Sequence, residues 1–294
     1  MHNNSEQTKV QNFELDRFVE VAGVKIRYRE RMGEAPPILF LHGITESLEF
    51  WAQQLEAGIG DHRLIALDLP GHGLSDDGEQ PYDPDKFARF MVAFADALAI
   101  GRFYCVGNSL GGGIAIRLAG LLPGRVLGIV LANSAFIGKN MFLPFRLMTL
   151  PVIGELLTKP GPKGVKQQLS AIVYDQNSIS PALRRVVERN TYRVGGAKAF
   201  LRSLRATATL GGMVESVYRQ SHAILKSLDM PVLFIHGKQD VVLPVKDSVA
   251  AAALTPNARI VLFDDCGHTP QIEKPSAFNA ELTIFVAAGC AAMS

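Results

Sequence analysis

A mostly parallel, doubly wound α/β sheet is the fold class this sequence predicts, on three observations. Four short apolar runs end in glycine-rich or polar turns and two more have similar character, as strands buried on both faces of a parallel sheet do. Stretches with helical periodicity lie between them, the alternation that gives right-handed crossovers. The chain has 294 residues, 48% of them hydrophobic, which suits one large domain or a domain with an insertion.

Taken in order, Val19 to Met32, with Gly23 near its middle, reads as an opening β-hairpin. The apolar runs Pro37–Leu41, before His42-Gly43, and Leu64–Leu67, before Asp68-Leu69-Pro70-Gly71, predict the first two sheet strands after it. From Asp85 to Ile100, residues Phe87, Phe90, Met91, Phe94 and Leu98 recur every three or four positions, the stripe of an amphipathic helix. Phe103–Val106 predicts a strand, Leu110–Leu121 a helix directly after it, and Val126–Leu131 a further strand. Val232–Ile235, before His236-Gly237, and Ile260–Phe263 complete the set.

Residues 136–212 break this rhythm. Pro144, Pro151, Pro160, Pro162 and Pro181 punctuate short helical pieces, so the stretch predicts a helical cap of 136–212 inserted into a core of 1–135 and 213–294. It carries twelve Lys/Arg against three Asp/Glu, a formal +9, while the whole chain is only +2. A basic run of this kind is usually a solvated face, and its functional reading is attraction of an anionic substrate or surface.

The balanced overall charge gives no reason to expect a nucleic-acid partner. Cys105, Cys266 and Cys290 cannot all pair and show no metal-ligand spacing, so reduced thiols in a cytoplasmic protein are expected. The polar start Met1–Gln7 carries no secretory h-region, and no apolar run reaches the ~18 residues of a membrane span. Homo-oligomerisation is left open.

Chemistry concentrates at Gly107-Asn108-Ser109-Leu110-Gly111, a G-x-S-x-G pattern between a predicted strand and a predicted helix. A strand turning sharply into a helix strains the central Ser and lifts its Oγ clear of the sheet. Side chains two positions away would collide, so glycine or a similarly small residue is needed there, and Gly107 and Gly111 meet the need. A Ser hydroxyl needs a base within hydrogen-bond reach. Of seven histidines, His2 sits in the terminus, His62 before a strand, and His222 in a charged helical stretch. His42 and His72 lie in glycine-flanked loops and His236 ends a strand, positions that suit structural hydrogen bonds. His268 follows the last predicted strand, at the carboxyl edge where ligands bind in parallel sheets, and is the candidate base.

Asp240, after the preceding strand, reaches the same edge and is the candidate acid for Nδ1 of His268. Asp264 and Asp265 lie in the histidine's own loop and suit a local turn, and Asp68 suits a backbone-shaping one. Two backbone N–H donors should hold the developing oxyanion: that of Leu110, and one from the loop His42-Gly43-Ile44-Thr45, with Ile44 the choice and Gly43 the fallback.

With Leu41-His42-Gly43, Asp68 through Ser75, Gly237-Lys238-Gln239-Asp240 and Cys266-Gly267-His268, these landmarks resemble the α/β-hydrolase superfamily from about Phe18 to Phe285. The resemblance implies an eight-stranded sheet with the cap between its sixth and seventh strands. The chain order Ser109, Asp240, His268 is the order of that fold. The elbow is similar to that of carbon–carbon bond hydrolases acting on meta-ring-fission products. Those usually have a Gly-rich, Pro-containing oxyanion loop and a Trp after the catalytic His; here the positions are Ile44-Thr45-Glu46-Ser47 and Thr269, and the only Trp is Trp51. Haloalkane dehalogenases place Asp where this chain has Ser109. The resemblance and its departures imply a carboxylesterase acting on small to medium esters, with carbon–carbon hydrolysis or a non-enzymatic receptor role as alternatives. No cofactor or metal is expected. Phe136, Met141, Phe142, Phe145 and Met148 are candidates for an apolar pocket wall, and Arg202 and Arg205 for binding a substrate carboxylate.

Overall fold

The structure is a computed structural model in which residues 15–78 and 83–291 are described. The Met1–Gln7 segment, with His2, lies outside them, as does the side chain of Cys290.

An antiparallel hairpin, β1 (Arg17–Val21) and β2 (Val24–Arg31), turns at Ala22-Gly23, both at positive φ. The strands β3 (Ala35–Leu41), β4 (His62–Leu67), β5 (Phe103–Asn108) and β6 (Val126–Ala132) follow. A short hairpin, β7 (Ala208–Thr209) and β8 (Gly212–Met213), forms apart from the main sheet, and β9 (Val232–Gly237) and β10 (Ala258–Phe263) complete it. The eight-stranded order is β1-β2-β4-β3-β5-β6-β9-β10, with all pairs from β4 to β10 parallel.

The apolar runs are strands because both of their faces are covered. On one face Leu39, Leu41, Phe103, Cys105, Ile129, Leu131 and Phe234 pack in one core cluster. Their alternates Ile38, Phe40, Tyr104, Val106, Val130 and Ile235 pack in another. Helices α1 (Ala52–Ala57), α2 (Pro84–Ala97) and α3 (Leu110–Leu121) lie between the early strands. In α2, Asp83 caps the N–H of Lys86, Pro84 opens the first turn, and Phe87, Phe90, Met91 and Phe94 form the buried stripe.

Between β6 and β9 come α4 (Leu143–Met148), α5 (Ile153–Leu157), α6 (Pro162–Ile172), α7 (Pro181–Tyr192) and α8 (Gly196–Thr207), the β7–β8 hairpin, and α9 (Glu215–Ser227). The sequence pattern gives no sign of that hairpin: two residues a strand are too few for any periodicity. α10 (Val245–Ala253), α11 (Pro270–Glu273) and α12 (Pro275–Ala291) follow the last two strands. Cys105 and Cys266 are free and buried. Among the described residues no helix is long and apolar enough to cross a membrane.

Candidate active site

Ser109 sits in the turn from β5 into α3 with φ 51° and ψ −114°, a strained conformation for a residue with a side chain. Its N–H donates to the carbonyl of Ala132, and its own carbonyl accepts from Ala135 at 2.9 Å, so the turn is pinned from both sides. Glycine is required on either side of it. A Cβ on Gly107 would lie 2.2 Å from the carbonyl oxygen of Gly111, and one on Gly111 would lie 2.1 Å from that of Leu41.

Three loops converge on Ser109 at the carboxyl edge of the sheet. His268 and Asp240 meet: Nδ1 of the ring lies 2.8 Å from Oδ2 of Asp240. The Asp240 carboxylate also accepts from the N–H groups of Val242 and Leu243 at 2.7 and 3.1 Å. Burial works against its charge, but His268 and His236 beside it hold it well below the usual carboxylate range. Burial likewise disfavours the His268 imidazolium, yet Asp240, with Glu46 and Glu273, raises the ring's pKa above its ordinary value.

Ser109 and His268 both line one cavity of about 140 Å³. No hydrogen bond joins Oγ to the ring among the described residues, and such contacts commonly tighten only once substrate is bound. Leu110 opens α3, where N–H groups have no partner inside the helix. Ile44 lines the same cavity. The fallback Gly43 is already engaged, its N–H donating to Oε2 of Glu46 at 2.7 Å.

Sequence reasoning missed three side chains here. Asn133, at the end of β6, donates from Nδ2 to Oδ2 of Asp240 at 2.7 Å and to the carbonyl of Gly267 at 3.1 Å. Asn108 donates from Nδ2 to the carbonyl of His268 at 3.0 Å, so the variable position of the elbow pattern holds the histidine loop. Glu46 is 2% exposed and lines the cavity, and burial pushes its carboxyl up to about 7. A polar residue at a strand end was the available signal for Asn133; Glu46 offered none.

The other described histidines hold backbone. His42 Nε2 accepts from the N–H of Leu69, and burial lowers its pKa to about 3. His62, His72 and His222 each contact a carbonyl, and His72 also lines the cavity. His236 lies 3.3 Å from the Asp240 carboxylate. Asp68 accepts from Leu48 and Leu74 N–H at 2.7 Å each, and Asp264 pairs with Lys238 at the surface.

Phe142, Phe145 and Met148 form part of the cavity wall with Leu157, Phe200 and Val242. Phe136 and Met141 do not: Phe136 packs over Gly113 in the core, and Met141 lies between two core clusters. Arg202 and Arg205 also lie outside the wall, Arg205 being paired with Glu155. Cations on the wall are Arg193, paired with Asp77, and the exposed Lys159. Among the described residues no group of three or more His, Cys, Asp or Glu could hold a metal ion.

The model of the alpha/beta hydrolase family matches residues 38–281. A curated relative, the 2-hydroxymuconate semialdehyde hydrolase of Pseudomonas sp. (strain CF600), is 27% identical over 285 residues, 95% of this chain and 96% of its own. The meta-cleavage product hydrolase CumD of Pseudomonas fluorescens IP01 superposes with a TM-score of 0.78 at 25% identity, covering 94% of this chain and 99% of that one. A putative aryl esterase from Burkholderia cenocepacia superposes with a TM-score of 0.76 at 25% identity, covering 94% and 99%.

Proposed function

The chain belongs to the alpha/beta hydrolase family, and from that premise we propose that it hydrolyses small to medium carboxylic esters through an acyl-enzyme on Ser109. The observation that carries the reading is the 2.8 Å contact between the buried carboxylate of Asp240 and His268, which lines the cavity that also holds the elbow serine. In this proposal residues 136–212 are the cap over a core of 1–135 and 213–294.

Oγ of Ser109 attacks the ester carbonyl carbon while Nε2 of His268 takes its proton, leaving the carbonyl oxygen negative between the N–H groups of Leu110 and Ile44. Asp240 fixes the ring with Nδ1–H toward its carboxylate and stabilises the imidazolium. The intermediate collapses by breaking the bond to the alcohol oxygen, which receives the proton from His268. Water then attacks the acyl carbon, giving its proton to the same ring, and a second collapse returns that proton to Oγ and releases the acid.

The cavity is close to the ~150 Å³ void that accommodates benzene in an engineered protein, and its wall is mostly apolar. That supports a compact acyl or alcohol group. Carbon–carbon hydrolysis is the second reading, favoured by the names of the relatives matched. Its dienoate substrates carry a carboxylate, whereas the buried carboxyl on this wall is Glu46, Arg193 is already paired, and Lys159 is exposed to solvent. A non-enzymatic receptor would have no use for the Asp240–His268 pair. A panel of p-nitrophenyl esters run beside a ring-fission dienoate decides: turnover of esters is expected, and turnover of the dienoate with only trace ester cleavage overturns the choice.

A further inference from the structure

Helix α6 touches both loops that carry proposed catalytic groups. Nε2 of its Gln168 donates to Oγ1 of Thr45 at 2.8 Å. One turn on, the carbonyl of Ile172 accepts from the backbone N–H of His268 at 3.1 Å and from Oγ1 of Thr269 at 2.9 Å. Residues four apart share a helix face, so a single face of α6 spans the gap between the two loops. Glu273 ties the same end of the helix down, accepting from Gly267 at 2.6 Å and from Tyr174 and Asp175 at 2.7 and 3.1 Å.

The oxyanion loop needs such a hold. Thr45 has φ 65°. A β-branched residue there is strained and persists only when its surroundings over-determine it. It follows Ile44 directly, so what holds Thr45 fixes the Ile44–Thr45 peptide and, through the two backbone dihedrals of Ile44, restrains the Gly43–Ile44 peptide that carries the Ile44 N–H. Helix α7 adds to the hold: Nδ2 of Asn190 donates to Oγ of Ser47 at 3.0 Å and to the carbonyl of Thr45 at 3.5 Å. Arg189 donates to Oγ of Ser47 at 3.1 Å and to the Glu49 carboxylate at 2.8 and 3.1 Å.

We propose that α6 is a positioning strut, its Gln168 side chain and Ile172 carbonyl setting the oxyanion loop against the histidine loop, so that the hydrolytic machinery is complete only with the inserted helices seated. The proposal rests on Ile44 as oxyanion donor and His268 as base. Gln168 also lines the cavity, but its proposed role is positioning, through Thr45.

The test compares wild type, Gln168→Leu, Thr45→Val and the double variant by two readouts: the rate of Ser109 phosphonylation by a fluorophosphonate, and kcat and KM on p-nitrophenyl acetate and butyrate. Each single variant breaks the Gln168–Thr45 hydrogen bond from one side, and Gln168→Leu also removes the longer contact from Oγ1 of Thr191 at 3.4 Å. The strut predicts about a ten- to hundredfold loss in phosphonylation rate and in kcat, with KM within about twofold. The double variant should be no worse than either single. Gln168→Glu, which can accept from Oγ1 of Thr45, should recover much of the loss. Phosphonylation at the wild-type rate, losses that multiply, or a loss confined to KM that varies between esters overturns the strut. Should Gln168→Leu not fold, Thr45→Val decides alone. Folded wild-type protein that fails to label overturns the serine-hydrolase reading itself, and the strut with it.

Discussion

Asn133 and His268 donate to the same oxygen of Asp240, at 2.7 and 2.8 Å. The amide and the ring therefore compete for, and jointly orient, one carboxylate. Asn133 has φ 42°, a conformation that Asn tolerates better than most residues. Replacing Asp240 by Asn should lower kcat by about 10⁴, since the ring then loses its tautomer and its countercharge. Asn133→Ala should cost about ten- to a hundredfold by letting the carboxylate turn. Steady-state kinetics on one ester ranks the two; equal effects would mean Asn133 does more than orient.

Glu46 gives a stability signature. Its folded carboxyl titrates at about 7 against 4.5 when free, because burial disfavours the charge. Between those values the folded protein holds a proton that the unfolded chain has lost, so stability falls as pH rises from 4.5 to 7 and stays reduced above. Glu46→Gln keeps an acceptor for Gly43 and removes that loss. Urea unfolding should show the variant gaining on wild type by about 3 kcal/mol between pH 4.5 and pH 8. A constant difference across that range would contradict the assignment.

The same residue bears on rate. His268 must be neutral to act as base, so kcat/KM should fall as pH drops through the ring's pKa, which lies above 6.5. Asp240 is the main cause of the raised value and ionised Glu46 adds to it. In Glu46→Gln the acid limb of the pH–rate profile should move to lower pH. An unmoved limb would show that Glu46 and the ring do not interact.

Elbow packing sets a further expectation. Gly111→Ala places a methyl 2.1 Å from the carbonyl oxygen of Leu41, which belongs to the sheet and has little room to yield. A loss of about 3 kcal/mol or more follows, read as a lowered denaturation midpoint. On the wall, Phe145 meets Phe142 and Phe200 edge-on at 5.8 and 5.6 Å. Phe145→Ala should enlarge the cavity and raise the ratio of kcat/KM for hexanoate over acetate esters.

What could be read from the chain follows a physical rule. Strands such as Phe103–Asn108 announce themselves because both faces are buried, which leaves the run from Phe103 to Val106 apolar. The elbow is legible because steric need leaves glycine as the solution at Gly107 and Gly111. Gln168, Asn133 and Glu46 left no such mark, since a polar side chain's partner depends on a fold that joins residues as far apart as Thr45 and Gln168. Phe136 and Met141 read like Phe142 and Phe145 because hydrophobicity does not say which apolar surface a residue will meet.

Trapping the covalent intermediate tests the central claim most directly. The protein is mixed with excess p-nitrophenyl butyrate, quenched in acid within the first turnovers and digested, and the peptide containing Gly107 to Gly111 is weighed. A butyryl group on Ser109, absent in Ser109→Ala, is the predicted result. Ester turnover with Ser109 never acylated, or undiminished in Ser109→Ala, would contradict the account.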